Sequence, residues 1–191
     1  MKHSFLISTT AVALLCAAGN MKAAGPDSGS GAAAAYCVST GGKVIDRAPV
    51  FGTNGPESSW LVLTGSRKFC QYTSSKDGSR IHILVEDLYA TTPTLAVLAY
   101  YAKVAPGEGG GGNPASYYCT QLGGSDQFGG VNAAGGGWVG SGSKDAILEA
   151  CIFPDMSSID SWGLFYDSAS IVRGIDLTTV LRYAPPPAAA H

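Results

Sequence analysis

A short pattern built around one cysteine occurs twice in this chain of 191 residues. Tyr36-Cys37 precedes Gly41-Gly42 in the first copy. Tyr118-Cys119 precedes Gly123-Gly124 in the second copy, with the same offset between cysteine and glycine. Glycine commonly ends helices because it tolerates the left-handed backbone conformation. Each cysteine is therefore predicted to project from the last turns of a helix.

Residues 1–19 have the features of a secretory signal peptide. A positive start precedes an apolar stretch at 5–18, which is too short to span a bilayer. The small residues before position 20 suit cleavage there. Cleavage removes Cys16, and Leu15 disfavours a lipid anchor because acyl attachment requires a small residue before the cysteine. The mature chain is predicted to be exported, either periplasmic or secreted.

Four cysteines remain after this cleavage, and their spacing repeats. The separation of Cys70 from Cys37 nearly equals the separation of Cys151 from Cys119. An even number of cysteines in an oxidising compartment is expected to pair, and four cysteines allow three connectivities. The repeat favours one bridge within each copy, Cys37 to Cys70 and Cys119 to Cys151.

The charge of the chain disfavours two classes of partner. With 12 Lys+Arg and 14 Asp+Glu the formal net charge is −2, and no basic stripe appears. Nucleic acid and anionic membrane surfaces require clustered basic residues. No later stretch reaches 18 uninterrupted apolar residues, so no transmembrane segment is predicted in the mature chain. An envelope or extracellular protein is the partner to be expected.

The repeated pattern extends over the whole mature chain and predicts an α+β fold. The fold is expected to contain two tandem copies of a small helix-plus-antiparallel-sheet unit, each with one disulfide. The predicted boundaries are a disordered lead-in at 20–31, a first repeat at 32–106, a glycine-rich linker at 107–112, a second repeat at 113–185 and a tail at 186–191.

Each repeat is predicted to begin with the cysteine-bearing helix. The alanine-rich stretch 32–40 favours the first helix, and Asn113-Pro114 favours the start of the second, because asparagine caps helices and proline fits their first turn. Residues 81–89 show both strand alternation and a helical period, and both alternatives stay open. Strand patterns follow the first helix at 43–47, 60–63 and 68–72.

Each repeat is also predicted to end in an amphipathic helix. These helices are expected at 95–104 and 177–184, and each is stopped by a proline. In the second repeat Asp155 or Ser157 is expected to cap a helix that runs to Phe165.

The glycine-rich stretch of the second repeat has no close counterpart in the first. Residues 123–142 contain nine glycines, which are typical of a long flexible loop. An alternative is a binding loop with an exposed aromatic anchor, and function is expected within 125–144 because the copies do not share it. Since large aromatics dominate interface energetics, the candidate contact residues are Trp60, Trp138, Tyr100 and Tyr101, although core packing explains the tyrosine pair at least as well.

No convincing catalytic constellation is visible in the sequence. His82 is the single histidine outside the predicted signal peptide and tail. A structural pairing with Glu86 is favoured over a catalytic role. The cysteine spacing suits bridges rather than zinc, so no metal is predicted. Residues 140–144 match the phosphate-binding loop pattern only superficially, and no cofactor is predicted.

Several motifs of the second repeat together resemble a known family. They are Asn113-Pro114-Ala115-Ser116, Tyr118-Cys119, Gly123-Gly124, Cys151-Ile152-Phe153-Pro154-Asp155, Ser157 and Trp162. Their order is similar to that of a family of small exported bacterial domains of unknown function whose members often carry the label hemolysin. The resemblance covers 113–167, with Met156 in place of the usual glycine, and 36–89 resembles a divergent second copy without the Asn-Pro start. It implies export and a small cysteine-containing module, and it brings no catalytic residues.

These patterns favour a non-enzymatic exported binding or envelope-associated protein. One alternative is a secreted hydrolase inhibitor that presents Trp138 or the 52–59 loop. A second alternative is a hemolysin-like membrane-active protein, for which the helical stretch 95–104 is short. A hydrolase built on His82 and a reduced cysteine comes last, because an oxidising compartment opposes it.

Overall fold

The computed structural model describes residues 27–108, 112–126, 134–140 and 147–186. Three predicted segments lie wholly or partly outside these ranges: the signal peptide, residues 109–111 of the linker, and residues 127–133 and 141–144 of the glycine-rich stretch.

Within the described ranges the chain forms an α+β fold of five α-helices and one antiparallel sheet of seven strands. Two short 3-10 helices are also present, Glu57–Ser59 and Leu177–Thr179. The elements are α1 Asp27–Ser39, β1 Lys43–Phe51, β2 Leu61–Val62, β3 Arg67–Thr73, β4 Arg80–Leu84, α2 Val85–Tyr89, α3 Leu95–Ala102, α4 Pro114–Gln121, β5 Gly136–Gly140, β6 Ala150–Ile152, β7 Ser158–Asp160 and α5 Ser161–Ser168.

The strands form a circuit of hydrogen-bonded neighbours, which an isolated bridge next to β6 closes. The order is β2-β1-β3-β4-β7-β6, and β5 pairs with β1. Trp138 of β5 exchanges two backbone hydrogen bonds of 2.9 Å with Leu148, which lies just before β6. Strands of both halves of the chain therefore belong to one sheet, and the arrangement as two tandem units stays a prediction.

Strand alternation divides the buried side chains between two faces of the sheet. On β3 and β4, Tyr72 lies opposite Ile81 and both belong to the core beneath the helices. Phe69 lies opposite Leu84, and this pair belongs to a second core together with Trp138, Leu148 and Ala150. The closed circuit therefore encloses its own small core, separate from the one that the helices cover.

Both predicted disulfides are confirmed. Cys37 of α1 is bonded to Cys70 of β3, and Cys119 of α4 is bonded to Cys151 of β6. Gly42 and Gly124 lie so close to these bridges that a Cβ on either would collide with a cysteine Sγ. The second glycine of each Gly-Gly pair is thus required for the close approach of helix and sheet.

Several predicted elements have different bounds in the structure. α1 begins at Asp27, so the lead-in predicted at 20–31 is wrong for its last five residues, while 20–26 lie outside the described residues. The ambiguous segment 81–89 contains the end of strand β4 and then helix α2. The predicted helix at 177–184 is wrong beyond its first turn, because its backbone bonds to other elements: Val180 O accepts from the Tyr36 hydroxyl, and Arg182 N donates to Leu88 O.

The prediction that Asp155 or Ser157 caps the helix running to Phe165 is wrong. Asp160, not Asp155 or Ser157, caps α5 by accepting from Gly163 N at 2.9 Å. Asp155 Oδ2 accepts from Leu95 N at 2.8 Å, and Ser157 Oγ accepts from Ala96 N at 2.9 Å. Residues of the second half therefore cap α3 of the first half, a contact that sequence neighbours cannot reveal.

The last segment of each half packs on the helices of the other half. The segment 176–183 contacts α1 and α2 through the bonds of Tyr36 and Leu88 described above. In return, Tyr118 of α4 donates to Val104 O at 2.6 Å, and Lys103 Nζ donates to Asp167 Oδ1 of α5 at 3.1 Å. Neither half completes its own core without the other.

Two buried carboxyl groups lie where these elements meet. Asp87 of α2 accepts from Ser158 N of β7 at 2.8 Å, and burial raises the pKa of Asp87 to about 7. Asp126 accepts from the Ser116 hydroxyl at 2.6 Å, and burial raises the pKa of Asp126 to about 6. Both carboxyls are thus more easily protonated in the folded chain than in the unfolded one.

We expect replacement of either cysteine pair by alanine to lower the unfolding free energy by roughly 3–4 kcal/mol, because loops of 33 and 32 residues lose nearly equal closure entropy. Urea unfolding of the Cys37→Ala/Cys70→Ala and Cys119→Ala/Cys151→Ala variants measures this. A cost confined to one pair would contradict equal roles. Non-reducing peptide mapping should recover one bridge within each half, Cys37–Cys70 and Cys119–Cys151.

We expect the stability advantage of Asp87→Asn over the wild type to grow between about pH 4 and pH 7 and to level off above it. In that window the unfolded aspartate is ionised while the folded one retains its proton, so the wild type loses stability as the pH rises. The gain should be about 1–3 kcal/mol in urea unfolding at a series of pH values. The control is Asp77→Asn, because Asp77 is an exposed turn carboxyl whose pKa is lowered to about 2, outside this window. An advantage of Asp87→Asn that does not change with pH would contradict the assignment.

Candidate functional site

A polar cluster lies on the face of the sheet that the closed circuit encloses. Arg80 and His82 alternate with Ile81 on β4 and therefore share this face. Gln71 of β3 lies directly opposite His82. Arg47 reaches the same place from β1, and both Arg47 and His82 are almost fully buried.

The His82 ring is held at both nitrogens. Nδ1 lies 3.0 Å from Asp160 Oδ2, and Nε2 lies 3.0 Å from Gln71 Oε1 and 3.2 Å from Arg47 Nη2. The predicted pairing with Glu86 is wrong, because His82 is on a strand that ends before the exposed Glu86 of α2. The observed partner, Asp160, comes from a strand 78 residues further along the chain.

Burial makes the neutral form of His82 the favoured one. Desolvation lowers the pKa of the His82 imidazole, against the hydrogen bond and charge of Asp160, which favour the cation. A carboxylate can only accept, so the proton of the neutral ring belongs on Nδ1. Nε2 is then an acceptor for Arg47, and a flip of the Gln71 amide presents its NH2 to the same nitrogen.

This arrangement favours a structural role for His82. A general base needs a ring nitrogen within hydrogen-bond reach of a substrate proton. Here both nitrogens already face protein groups, and Arg47 is itself fixed by donating to Trp138 O at 3.0 Å. The cluster can therefore hold strands β1, β3, β4 and β7 together without a ligand.

A cleft of about 180 Å³ opens beside this cluster. His82 and Asp160 lie at its buried side, so that β4, β7, α5 and two loops all contribute to it. Its polar lining residues are Arg80, His82, Glu149, Asp160, Trp162 and Arg173.

The carboxylates of the cleft already have partners within the protein. Glu149 Oε2 accepts from Trp162 Nε1 at 2.8 Å and from Asn113 Nδ2 at 2.6 Å. Asp160 accepts from Gly163 N and contacts His82. The two acidic side chains are therefore fixed by hydrogen bonds within the protein.

The two arginines at the cleft differ from its acids in their charge partners. The Arg173 guanidinium lies over the Tyr166 ring, 5.0 Å from its centroid, and its Nε donates a long bond of 3.4 Å to Arg80 O. Within the described part of the chain neither Arg80 nor Arg173 has a carboxylate within 4.0 Å. The cleft thus presents guanidinium groups whose charge no neighbouring carboxylate neutralises at contact distance.

None of the four predicted contact residues lines this cleft. Trp138 is 5 % exposed and packs on Phe69 at 5.6 Å between ring centroids, and Tyr100 is 1 % exposed. Tyr101 is half-buried and donates to Tyr183 O at 3.0 Å. Trp60 is half-buried at the end of the 52–59 loop. The structure brings Trp138 into the core of the closed circuit and the tyrosines into the helix layer.

Sequence reasoning missed the residues that form the cleft. Arg80 and His82 share a strand face, and this alternation was the one available signal for their proximity. Glu149, Trp162 and Arg173 come from separate segments, and only the pairing of β4 with β7 places them near His82.

Neither a metal-binding cluster nor a membrane-spanning helix is found among the described residues. No group of three His, Cys, Asp or Glu residues there is placed to hold a metal ion. No helix in that part of the chain is long and apolar enough to cross a membrane.

We expect the His82 ring to be largely neutral, with its proton on Nδ1, at pH 6.5, the ordinary pKa of an imidazole, because burial lowers the pKa of His82. Long-range ¹H–¹⁵N NMR correlations of the ring report both the tautomer and the charge. Asp160→Asn removes the charge that favours the cation, so the pKa should fall further still. A ring that is half protonated at pH 6.5 in the folded wild type would contradict the dominance of burial.

Comparison with protein families, with curated proteins and with solved structures finds no match for this chain. The geometry of the cleft is therefore what supports a function.

Proposed function

We propose that this chain is an exported, non-enzymatic binding protein whose ligand site is the cleft between Arg80 and Arg173. The observation that carries the proposal is the unequal pairing of charge in this cleft. Its acids, Glu149 and Asp160, are hydrogen-bonded within the protein, whereas its two arginines have no carboxylate at contact distance among the described residues. Arginine is a frequent anchor of binding sites because its planar donors recognise acceptors with defined geometry.

Export is supported by the two disulfides together with the predicted signal peptide. The repeat origin is supported by equivalent local geometry in the two halves. Gly42 N donates to Cys37 O at 2.8 Å, and Gly124 N donates to Cys119 O at 2.9 Å, each next to a disulfide. The proposed protein is thus built from two disulfide-stapled repeats whose strands and final segments have become shared.

Binding fits the cleft better than catalysis does. The side chain with the most suitable ordinary pKa for proton transfer, His82, is occupied at both ring nitrogens. Strands β4 and β7 and helix α5 also hold half of the lining residues on regular elements, which lowers the entropy cost of binding.

We expect the wild-type protein to capture a component of the native envelope or secreted fraction that the Arg80→Gln/Arg173→Gln variant does not capture. The two glutamines keep hydrogen-bonding groups but remove the charges on which the proposal rests. The matched control is Lys76→Gln, because Lys76 is exposed in the turn between β3 and β4 and does not line the cleft. Equal capture by all three proteins, at equal thermal stability, would exclude the cleft as the binding site.

The 52–59 loop favours a second candidate, a secreted hydrolase inhibitor. The loop is exposed from Asn54 to Ser59, yet its backbone is held: Gly52 N donates to Gly135 O and Asn54 N donates to Ala134 O, both at 3.0 Å. Trp60 Nε1 donates across the loop to Gly55 O at 3.0 Å. A rigid exposed loop suits inhibition because little conformational entropy is lost on binding.

Purified protein tests this second candidate by inhibition of lysozyme and of a panel of proteases. An inhibitor should lose roughly two- to tenfold in affinity when Trp60→Phe removes the bond across the loop. The folded protein with no effect on any of these enzymes would remove the candidate, and inhibition that the Arg80→Gln/Arg173→Gln variant loses would assign it to the cleft instead.

A further inference from the structure

We infer that the cleft between Arg80 and Arg173 binds a single carboxylate group carried by a small, partly apolar molecule. This inference deepens the proposed function and rests on it. Four observations carry it: the balance of charge in the cleft, its guanidinium donors, its size and its apolar wall.

The charges around the cleft leave room for one negative charge. Three guanidinium groups, Arg47, Arg80 and Arg173, lie at or directly behind the cleft, and two carboxylates, Glu149 and Asp160, oppose them. His82 between them is held neutral by burial, which lowers its pKa. Among the described residues this sum is one unbalanced positive charge as long as Asp126 keeps its proton; Asp126 is a buried carboxyl near Glu149 and Asp160 whose pKa is raised to about 6. The charge of Arg80 acts on both Arg47 and His82, where it opposes a second positive charge. A bound monoanion would relieve this repulsion.

The donors of the two arginines can address such a group. The Arg173 guanidinium carbon lies 5.0 Å from the Tyr166 ring centroid, so the aromatic ring covers one side of the group. The Nε–H group makes the long bond to Arg80 O, and the other N–H groups are not bonded to a described carboxylate. Planar guanidinium donors match the two oxygens of a carboxylate.

The fixed acids favour a carboxylate over a phosphate dianion. Glu149 and Asp160 line the same cleft and cannot turn away, because each is held by hydrogen bonds from the protein. A second negative charge on the ligand would meet them at short range, where like charges repel strongly.

The size and wall of the cleft limit the rest of the ligand. A volume of about 180 Å³ corresponds to roughly six water molecules at ~30 Å³ each, so the ligand must be small. Ile147, Leu148 and Trp162 provide apolar surface next to the arginines. An aromatic or branched carboxylic acid combines both requirements, and benzoate is the simplest probe with this chemistry.

The test is an NMR titration of the full mature chain at constant ionic strength. The readouts are the indole N–H of Trp162 and the Nε–H signals of Arg80 and Arg173. Benzoate should give saturable shifts, benzamide, its neutral counterpart, should give none, and inorganic phosphate should bind at least about tenfold more weakly than benzoate. Equal shifts from benzoate and chloride, without saturation, would overturn the inference.

Variants separate the cleft from the rest of the surface. Arg80→Gln and Arg173→Gln should each weaken benzoate binding by about tenfold or more, the loss expected for a charge-assisted hydrogen bond. Lys76→Gln should leave it unchanged. The dispersion of the amide spectrum shows whether each variant is folded, and since Arg173 lies in a loop after α5 it provides a second test if Arg80→Gln fails to fold. Unchanged affinity in a folded Arg173→Gln variant would overturn the assignment.

The outcome is separable from that of the proposed function. Phosphate that binds as tightly as benzoate overturns the ligand class, and binding of benzamide overturns the need for charge. If the native fraction still yields a component whose capture depends on Arg80 and Arg173, the proposed function stands while the carboxylate inference falls. If neither capture nor benzoate binding depends on the two arginines, both fall together.

Discussion

The structure depends on two disulfides that hold a helix against a sheet at points where glycine leaves no side chain. The bridges are connected through the sheet itself. Cys70 lies opposite Ile83, Ile83 lies opposite Ile159, and Ile159 lies opposite Cys151. All four side chains are fully buried in the core beneath the helices. This row of residues joins the two halves at their most buried position, and the polar cluster on the reverse face is held by the same strands.

Much of the local structure could be predicted from the sequence, because its signals are local. Asn113 caps α4 as expected, since its side chain accepts from the backbone of Ala115 and Ser116 within the same turn. The matching spacing of the cysteines was enough to predict both bridges. The glycine-rich stretch around Trp138 was not predicted as a strand, because its pairing with β1 is decided by a partner far away in the chain, Pro49. Glycine weakens the β-propensity of a strand whose stability comes from tertiary pairing.

The cleft could not be predicted for a related reason. Its side chains lie in segments between residues 80 and 173, and each segment taken alone has an ordinary surface composition. The sequence identified His82 as the one histidine to consider but assigned it the wrong carboxylate, because a helical period was applied where the chain forms a strand. Residues four apart share a face of a helix, whereas the side chains of a strand alternate between its two faces. The resemblance to the exported family stays a prediction, supported by motif order and by the two bridges alone.

The exchange of final segments between the halves has a consequence for how the chain reaches this structure. Cys37 and Cys70 can bond as soon as α1 and β3 have come together in an oxidising compartment, yet the α1 and α2 pair that the bridge anchors is covered only when residues 176–183 arrive. Contacts so distant in sequence form slowly, since a long loop must close before they contribute. Until those residues arrive, the apolar side chains of the cross-linked half stay uncovered, and such surface makes incompletely folded chains prone to associate.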